Sequence, residues 1–168
     1  VEAWRFAVAN RKGPTALIFT RQNVPLLKAS GIAPASGLRQ GGYILWEQST
    51  GTPQAILLAT GSEVALALQA AQRLADEGIG ARVVSMPSWE IFDEQPQAYR
   101  QAVLPPNIRL RVAVEAGIGL AWEHYVGLDG AVIGMKSFGA SAPAKILFEK
   151  FGFSVDAAVA KVKELLMR

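Results

Sequence analysis

The sequence contains no cysteine and only one histidine, His124. Without cysteine there can be no disulfide scaffold, no cysteine nucleophile and no thiolate metal site. A single histidine also excludes a histidine-rich metal site. A chain without cysteine suits a reducing compartment, and we therefore expect a cytoplasmic protein.

Long apolar runs and blocks of like charge are missing as well. The best apolar stretch, residues 112–122, is interrupted by Glu115 and is shorter than the roughly 18 residues that a membrane-spanning helix needs. The formal net charge is +3, but no run of lysine and arginine with interleaved aromatic residues is present. We therefore predict a soluble protein that binds neither membrane nor nucleic acid.

What the sequence does contain is apolar material for a core, since 51% of its 168 residues are hydrophobic. A chain of this length can bury roughly 68–70% of its unfolded surface, which excludes disorder as its main state. Its size fits one domain, or one domain attached to a fragment of its neighbour.

The first 42 residues differ in pattern from the others. Residues 1–10 can form a helix and the apolar run 15–20 a strand, but one helix and one strand cannot bury their own apolar faces. Residues 24–42 contain many glycines and prolines and no helical or alternating period, which is typical of a linker. We predict that residues 1–23 end a preceding α/β domain and that residues 43–168 form a complete domain.

Residues 43–168 alternate strands with helices, a pattern that predicts an α/β fold with a parallel sheet. The predicted strands are residues 43–46, 55–59, 82–85, 111–114 and 131–135, and the predicted helices are residues 60–76, 94–103, 120–126, 142–151 and 155–168. We expect three layers: a mostly parallel five-stranded sheet with one antiparallel edge strand, and helices on both faces. A short turn joins the first two strands, so we expect these two to be antiparallel neighbours.

The residues Thr60-Gly61-Ser62-Glu63 follow an apolar strand and begin a helix. Thr60 and Glu63 have the spacing of a capping box, in which both side chains accept hydrogen bonds from backbone amides at the helix start. The exposed amides of Thr60, Gly61 and Ser62 offer an alternative, a site for a phosphate or a regulatory anion. Because Glu63 would repel an anion, we favour the cap and keep the anion site as the alternative.

Arg21 is the strongest candidate for a ligand-binding residue. It follows the predicted strand 15–20 at the carboxyl end, where α/β sheets place ligands. Its guanidinium offers a two-pronged hydrogen-bond donor for phosphate. The structural alternative is a salt bridge at the domain boundary, and the residues alone leave both interpretations open.

Three further polar residues have structural interpretations. Glu115 ends an apolar strand and needs a partner, either a neighbouring helix terminus or another chain. His124 lies between two aromatic residues, which favours a packed or surface histidine over a catalytic one. Ser141 precedes a predicted helix, and we expect it to be the N-cap rather than a nucleophile.

Six short segments carry the most specific pattern in the chain. They are GPTALIFTRQN (13–23), GGY (41–43), ATGSEV (59–64), RVVSMPS (82–88), VAVEAG (112–117) and FGASAP (138–143). In this order and spacing, and with the stretch 125–130, they resemble the final part of transketolases over nearly the whole chain. By this resemblance, residues 1–23 end the pyrimidine-binding domain, residues 24–42 are a linker and residues 43–168 are the carboxy-terminal domain.

The resemblance implies a thiamine-diphosphate enzyme that transfers a two-carbon ketol unit from a ketose phosphate to an aldose phosphate. It also implies a homodimer in which the cofactor and a divalent metal, magnesium or calcium, are bound by parts absent from this chain. It assigns Arg21 to the sugar phosphate and assigns no catalytic, cofactor-binding or metal-binding residue here. We therefore expect the isolated chain to be inactive.

Two classes of function fit these observations. In the first, the chain is the carboxy-terminal fragment of a transferase and supplies one substrate-phosphate contact and subunit packing. In the second, it is a separately folded, non-catalytic binding or dimerisation module with a regulatory anion site at Thr60, Gly61 and Ser62. A related thiamine enzyme, such as a dihydroxyacetone synthase, is a further alternative that the motifs fit less well.

Overall fold

The computed structural model describes residues 1–27, 30–48 and 51–168. In chain order its elements are α1 (Glu2–Ala9), a 3₁₀ helix (Ala35–Gln40), β1 (Tyr43–Glu47), β2 (Ala55–Ala59), α2 (Glu63–Asp76), β3 (Ala81–Ser85), α3 (Trp89–Asp93), α4 (Gln97–Val103), β4 (Arg111–Ile118), a second 3₁₀ helix (Leu120–Trp122), α5 (Glu123–Val126), β5 (Ala131–Met135), α6 (Ala144–Phe151) and α7 (Val155–Leu166). No helix among the described residues is long and apolar enough to cross a membrane.

The five strands form one sheet in the order β1-β3-β2-β4-β5. The pairs β2–β3, β2–β4 and β4–β5 are parallel, and β1 pairs antiparallel with β3 at one edge. Every residue of β2 is buried, as its uninterrupted apolar sequence requires for a central strand that is covered on both faces. The predicted mostly parallel sheet with one antiparallel edge strand is therefore confirmed.

Two hydrophobic cores lie on the two faces of the sheet. Because side chains alternate along a strand, Leu57 of β2 enters one core while Ile56 and Leu58 enter the other. The first core is shared with α2 and α7, and the second with α3, α4 and α5. This arrangement confirms the predicted three-layer α/β architecture.

The predicted antiparallel pairing of the first two strands is wrong. Tyr43 of β1 lies opposite Ser85 of β3, and the ladder shifts register between Ile44 and Trp46. Both edges of β2 are occupied, by β3 on one side and by β4 on the other. β1 and β2 are therefore not neighbours in the sheet and do not form a hairpin.

The amino-terminal segment confirms one predicted element and not the other. The helix predicted over residues 1–10 is formed as α1, none of whose residues is buried. Residues 14–20 form no strand, because no described segment lies beside them to complete a ladder. Ile18 is 92% exposed as a result.

Several helices begin or divide at positions other than those predicted. The predicted helix 94–103 is formed only from Gln97 onwards as α4, with Pro96 at its N-cap, and Glu94 is the C-cap of the preceding helix α3. The predicted helix 120–126 consists of a 3₁₀ turn followed by α5. The helix predicted from residue 142 begins at Ala144 with Pro143 at its N-cap, so Ser141 does not cap it.

The end of the predicted linker packs on the carboxy-terminal domain. Residues 28–29 of this linker lie outside the described residues, and the 3₁₀ helix Ala35–Gln40 is an element that the sequence did not predict. Gly41 has φ +77, and a Cβ placed there would lie 2.3 Å from the backbone nitrogen of Phe92 and 2.4 Å from the carbonyl oxygen of Ser88. Only glycine fits where the chain crosses the start of α3.

Candidate functional site at the carboxyl edge of the sheet

Arg21 lies on the protein surface at a bend that follows residues 14–20. The hydroxyl of Thr20 donates to the carbonyl oxygen of Gln22 at 3.2 Å and so closes the bend around Arg21. Among residues 1–27, 30–48 and 51–168, Arg21 forms no ion pair. The boundary salt bridge that we considered for this side chain is therefore not formed within the described chain.

The Thr60–Ser62 turn connects β2 to α2 at the carboxyl edge of the sheet. Gly61 has φ +55, and α2 begins at Glu63 with Ser62 at the N-cap position. The predicted capping box is wrong, because no side chain caps this helix. The Ser62 hydroxyl instead donates to Oε1 of the next residue, Glu63, at 2.6 Å.

The fold brings these two predicted sites together. A Cβ placed on Gly61 would lie 3.9 Å from Cγ2 of Thr20, the residue before Arg21. Gln22, Asn23 and Ser62 line one groove of about 540 Å³, whose other wall is formed by α6 and by the start of α7. The amino-terminal segment therefore crosses the carboxyl edge of the sheet, which is the usual ligand position in α/β folds.

A pair of glutamates, Glu63 and Glu115, lies beneath this turn. Glu63 is only 4% exposed, and Glu115 accepts a hydrogen bond from Trp122 Nε1 at 3.1 Å. Burial raises the pKa of Glu63 above its ordinary value, the Ser62 hydroxyl partly opposes this, and the charge of Glu115 raises the pKa further. The need of Glu115 for a partner is thus met by Trp122, a residue that sequence reasoning did not assign to it.

Glu63 should make stability depend on pH in a defined direction. Since its folded-state pKa is raised above the unfolded value of about 4.3, the native state holds this proton in a pH window where the unfolded state has lost it. Stability of the native protein therefore falls as pH rises through that window. We expect the free energy of unfolding of Glu63→Gln, minus that of the unsubstituted chain, to increase from about pH 4.5 to pH 8.

Urea titrations at both pH values measure this difference, and Glu164→Gln is the matched control. Lys161 and Arg168 lower the pKa of Glu164, which is exposed, so the sign of its pH dependence is opposite. For Glu164→Gln the same difference should not increase from about pH 4.5 to pH 8, because most of its pH dependence lies below the unfolded value of about 4.3. A flat or falling difference for Glu63→Gln would show that Glu63 is ionised as easily in the native protein as in the unfolded chain.

The remaining predicted residues do not join this site. His124 is exposed and its ring lies edge-on to Tyr125, with ring centres 4.9 Å apart, so it is a surface histidine as predicted. Ser141 lies in an exposed loop before α6. In the described part of the chain, no group of three histidine, aspartate or glutamate residues could hold a metal ion. The site can offer a phosphate a guanidinium and backbone amides.

Comparison with known proteins identifies the family. Residues 41–154 match a family model described as the transketolase-like TK C-terminal domain. The chain belongs to the transketolase family. Transketolase 1 of Escherichia coli K12 is 53% identical to it over 164 residues, which are 98% of this chain and 24% of that protein. The chain therefore spans about a quarter of the length of this relative.

Solved structures of transketolases superpose on this chain. A transketolase of Pichia stipitis, described as a complex with sedoheptulose-7-phosphate, superposes with a TM-score of 0.87 and 32% identity over 99% of this chain and 23% of its own. A chain described as a split-gene transketolase and an inactive β4 tetramer superposes with a TM-score of 0.63 and 25% identity, over 88% of this chain and 48% of its own. The mixed five-stranded sheet with surrounding helices is the transketolase carboxy-terminal fold.

Proposed function

We propose that this chain is the carboxy-terminal part of an enzyme that transfers a two-carbon ketol unit from a ketose phosphate to an aldose phosphate. The observation that carries this proposal is the position of Arg21. Arg21 is exposed and has no ionic partner among the described residues, and the residue before it, Thr20, lies beside Gly61 at the ligand edge of the sheet. The sugar phosphate in the complex described for the Pichia stipitis relative supports the substrate class.

In this proposal Arg21 holds the substrate phosphate and takes no part in bond making. A planar guanidinium donates two parallel hydrogen bonds to phosphate oxygens, which fixes orientation as well as charge. The bend closed by Thr20 and Gln22 holds the backbone of Arg21, while the nearby Glu63 and Glu115 carboxylates disfavour an anion that moves deeper into the turn. A phosphate is therefore best held at the rim, by Arg21, with the sugar extending away from the turn.

Thiamine diphosphate and a divalent metal, magnesium or calcium, belong in this proposal to segments outside this chain. The residues described here do not fit a metal–diphosphate site, because they contain no suitable cluster of ligands. We accordingly assign no catalytic, cofactor-binding or metal-binding residue to the chain. Its contribution is one substrate contact and the packing of the carboxy-terminal domain.

We further propose a cytoplasmic homodimer in which residues 1–23 complete the middle domain and residues 43–168 form the carboxy-terminal domain. Exposed apolar side chains support burial of the chain against further protein. Trp4 and Phe19 are exposed in the amino-terminal segment, and Ile118, Leu120 and Phe138 are exposed near the carboxyl ends of β4 and β5. Exposed apolar side chains of this size are typical of surfaces that are covered in an assembly.

The isolated 168-residue chain should neither bind thiamine diphosphate tightly nor convert sugar phosphates. A catalytic site needs its groups held in one geometry, and this chain supplies only one of them. Calorimetric titration with thiamine diphosphate and magnesium tests this expectation. Micromolar binding to the chain alone would contradict the proposed division of the site.

The split-gene relative that is described as inactive supports the proposed division of the active site between this chain and segments outside it. The match covers 88% of this chain and 48% of that relative. The non-catalytic module that we considered as an alternative then describes what the isolated chain does, whereas the ketol transfer describes the complete enzyme. Regulation by an anion at Thr60, Gly61 and Ser62 remains a separate prediction, which the two carboxylates beneath the turn disfavour.

A further inference from the structure

A second polar cleft lies on the face of the sheet that carries α3, α4 and α5. Its volume is about 280 Å³, and its polar lining consists mainly of Asp93, Gln97, Arg100, Gln101 and Arg111. We propose that this cleft binds a small oxyanion that also carries hydroxyl groups, such as a short phosphate ester or a hydroxy acid. This site goes beyond the proposed ketol transfer and does not depend on it.

The cleft is separate from the site around Arg21. Arg111 is the first residue of β4, whereas Thr60 follows the last residue of β2. These two strands are parallel neighbours, with Ile56 opposite Arg111. The start of β4 and the end of β2 therefore lie at opposite ends of these parallel strands. One ligand of this size cannot contact both.

Arg111 supplies a positive charge that no carboxylate neutralises within the described residues. Its guanidinium donates to the carbonyl oxygens of Ile108 at 3.0 Å, Tyr125 at 2.8 Å, Leu104 at 3.3 Å and Pro105 at 2.9 Å. Burial lowers the pKa of Arg111, as expected for a cation without an anionic neighbour. The carbonyl groups fix the guanidinium in place but leave its full charge available to the cleft.

Arg100 supplies the donors that a ligand can use. Its Nε donates to the carbonyl oxygen of Gln95 at 3.1 Å, and among the described residues it forms no ion pair. The two terminal nitrogens remain available for an oxyanion. Gln97 and Gln101 lie one turn apart on the same helix and face the same cleft, so their amides can donate to the ligand or accept from it.

Asp93 makes the cleft selective for an anion with hydroxyl groups. One of its oxygens, Oδ2, accepts a hydrogen bond from the Tyr125 hydroxyl at 3.1 Å. Its other oxygen can accept from a hydroxyl group of the ligand, while its charge opposes ligands with more than one phosphate. The volume lies near the lower limit of about 300 Å³ for small-molecule sites, which favours a ligand of a few carbon atoms over a nucleotide.

Calorimetric titration of the full-length protein with glycerol 3-phosphate, glycerate and glycerol tests this site. The two anions should bind and the neutral glycerol should not, because Arg100 and Arg111 recognise charge. Arg100→Gln should weaken anion binding by about 10-fold or more. Arg109→Gln is the matched control, since Arg109 pairs with Asp129 and lies outside the cleft, and it should leave the affinity unchanged.

The same titrations in an Arg21→Ala background separate this site from the proposed substrate contact. If the two sites are independent, Arg100→Gln should have the same effect in both backgrounds. Tighter binding of glycerol 3-phosphate identifies a phosphate ester as the ligand class, and tighter binding of glycerate identifies a hydroxy acid. Equal affinities of Arg100→Gln and Arg109→Gln for both anions would overturn the proposal, as would the absence of binding at about 10 mM of either anion.

Discussion

Replacing Arg21 with alanine in the complete enzyme should lower kcat/KM for phosphorylated substrates by roughly 10- to 150-fold. A charge-assisted hydrogen bond to phosphate contributes about 1.5–3 kcal/mol, which corresponds to this range. Most of the loss should appear in KM, because a phosphate remote from the reacting atoms is held equally in the ground and transition states. Steady-state kinetics with a ketose phosphate and an aldose phosphate measure both constants.

A substrate without phosphate is the control for this substitution. Such a substrate gives Arg21 nothing to hold, so its rate should barely change in Arg21→Ala. Arg21→Lys should recover only part of the loss, because an ammonium group keeps the charge but not the planar pair of donors. Equal losses for phosphorylated and non-phosphorylated substrates would mean that Arg21 stabilises the site indirectly.

Replacing Trp122 with alanine should lower the free energy of unfolding by about 3–5 kcal/mol. The Trp122 side chain is 0% exposed and packs edge-on against Trp89, with ring centres 5.0 Å apart. Alanine would leave a cavity in the core beneath α3 and α5. It would also remove the Nε1 donor of Glu115, which leaves a carboxylate without its partner beside Glu63.

Urea unfolding of the 168-residue chain measures this loss, and two further variants divide it into parts. Trp122→Phe keeps most of the ring but removes the donor, so its loss should be smaller than that of alanine. Trp4→Ala is the matched control, because Trp4 is 61% exposed and no residue of α1 is buried. A Trp122→Ala chain as stable as the Trp4→Ala chain would show that Trp122 does not support the core.

The architecture could be predicted from the sequence because the central strands carry a strong signal. Residues 55–59 are apolar throughout, so they have to be covered on both faces, and only a sheet between two layers of helices covers them. The helix after Glu63 and its end before Gly78, which has φ +81, follow from an apolar stripe and a glycine stop. These features depend on local sequence alone.

Strand order and helix starts could not be predicted in the same way. A short turn between β1 and β2 is compatible with a hairpin, and only the tertiary structure shows that β3 lies between them. Thr60 and Glu63 have capping-box spacing, but the positive φ of Gly61 moves the helix start beyond Thr60. Local patterns do not show which alternative the surrounding structure allows.

The sequence predicted the separate parts of the candidate site but not their proximity. Arg21 and the Thr60–Ser62 turn each follow an apolar segment, but nothing in the sequence places Thr20 beside Gly61. The proximity of Glu63 to Glu115 had a usable signal. Glu63 follows the end of β2 by four residues, and Glu115 follows Val114, which pairs with the last residue of β2 in the parallel neighbour β4. The cleft around Arg100 had no such signal, since its residues come from separate elements.

The backbone bonds of the segment around Gly41 limit where the gene for this protein could be divided. Composition predicts the domain boundary between Gly42 and Tyr43. However, the carbonyl oxygen of Gly41 accepts a hydrogen bond from the backbone nitrogen of Ser88 at 2.9 Å. The carbonyl oxygen of Gly42 accepts one from the Tyr99 hydroxyl, also at 2.9 Å. Upstream, the backbone nitrogen of Ala33 donates to the carbonyl oxygen of Leu45 at 2.8 Å. A carboxy-terminal polypeptide that starts at Tyr43 would lose all three bonds, so a viable break point lies before Ala33.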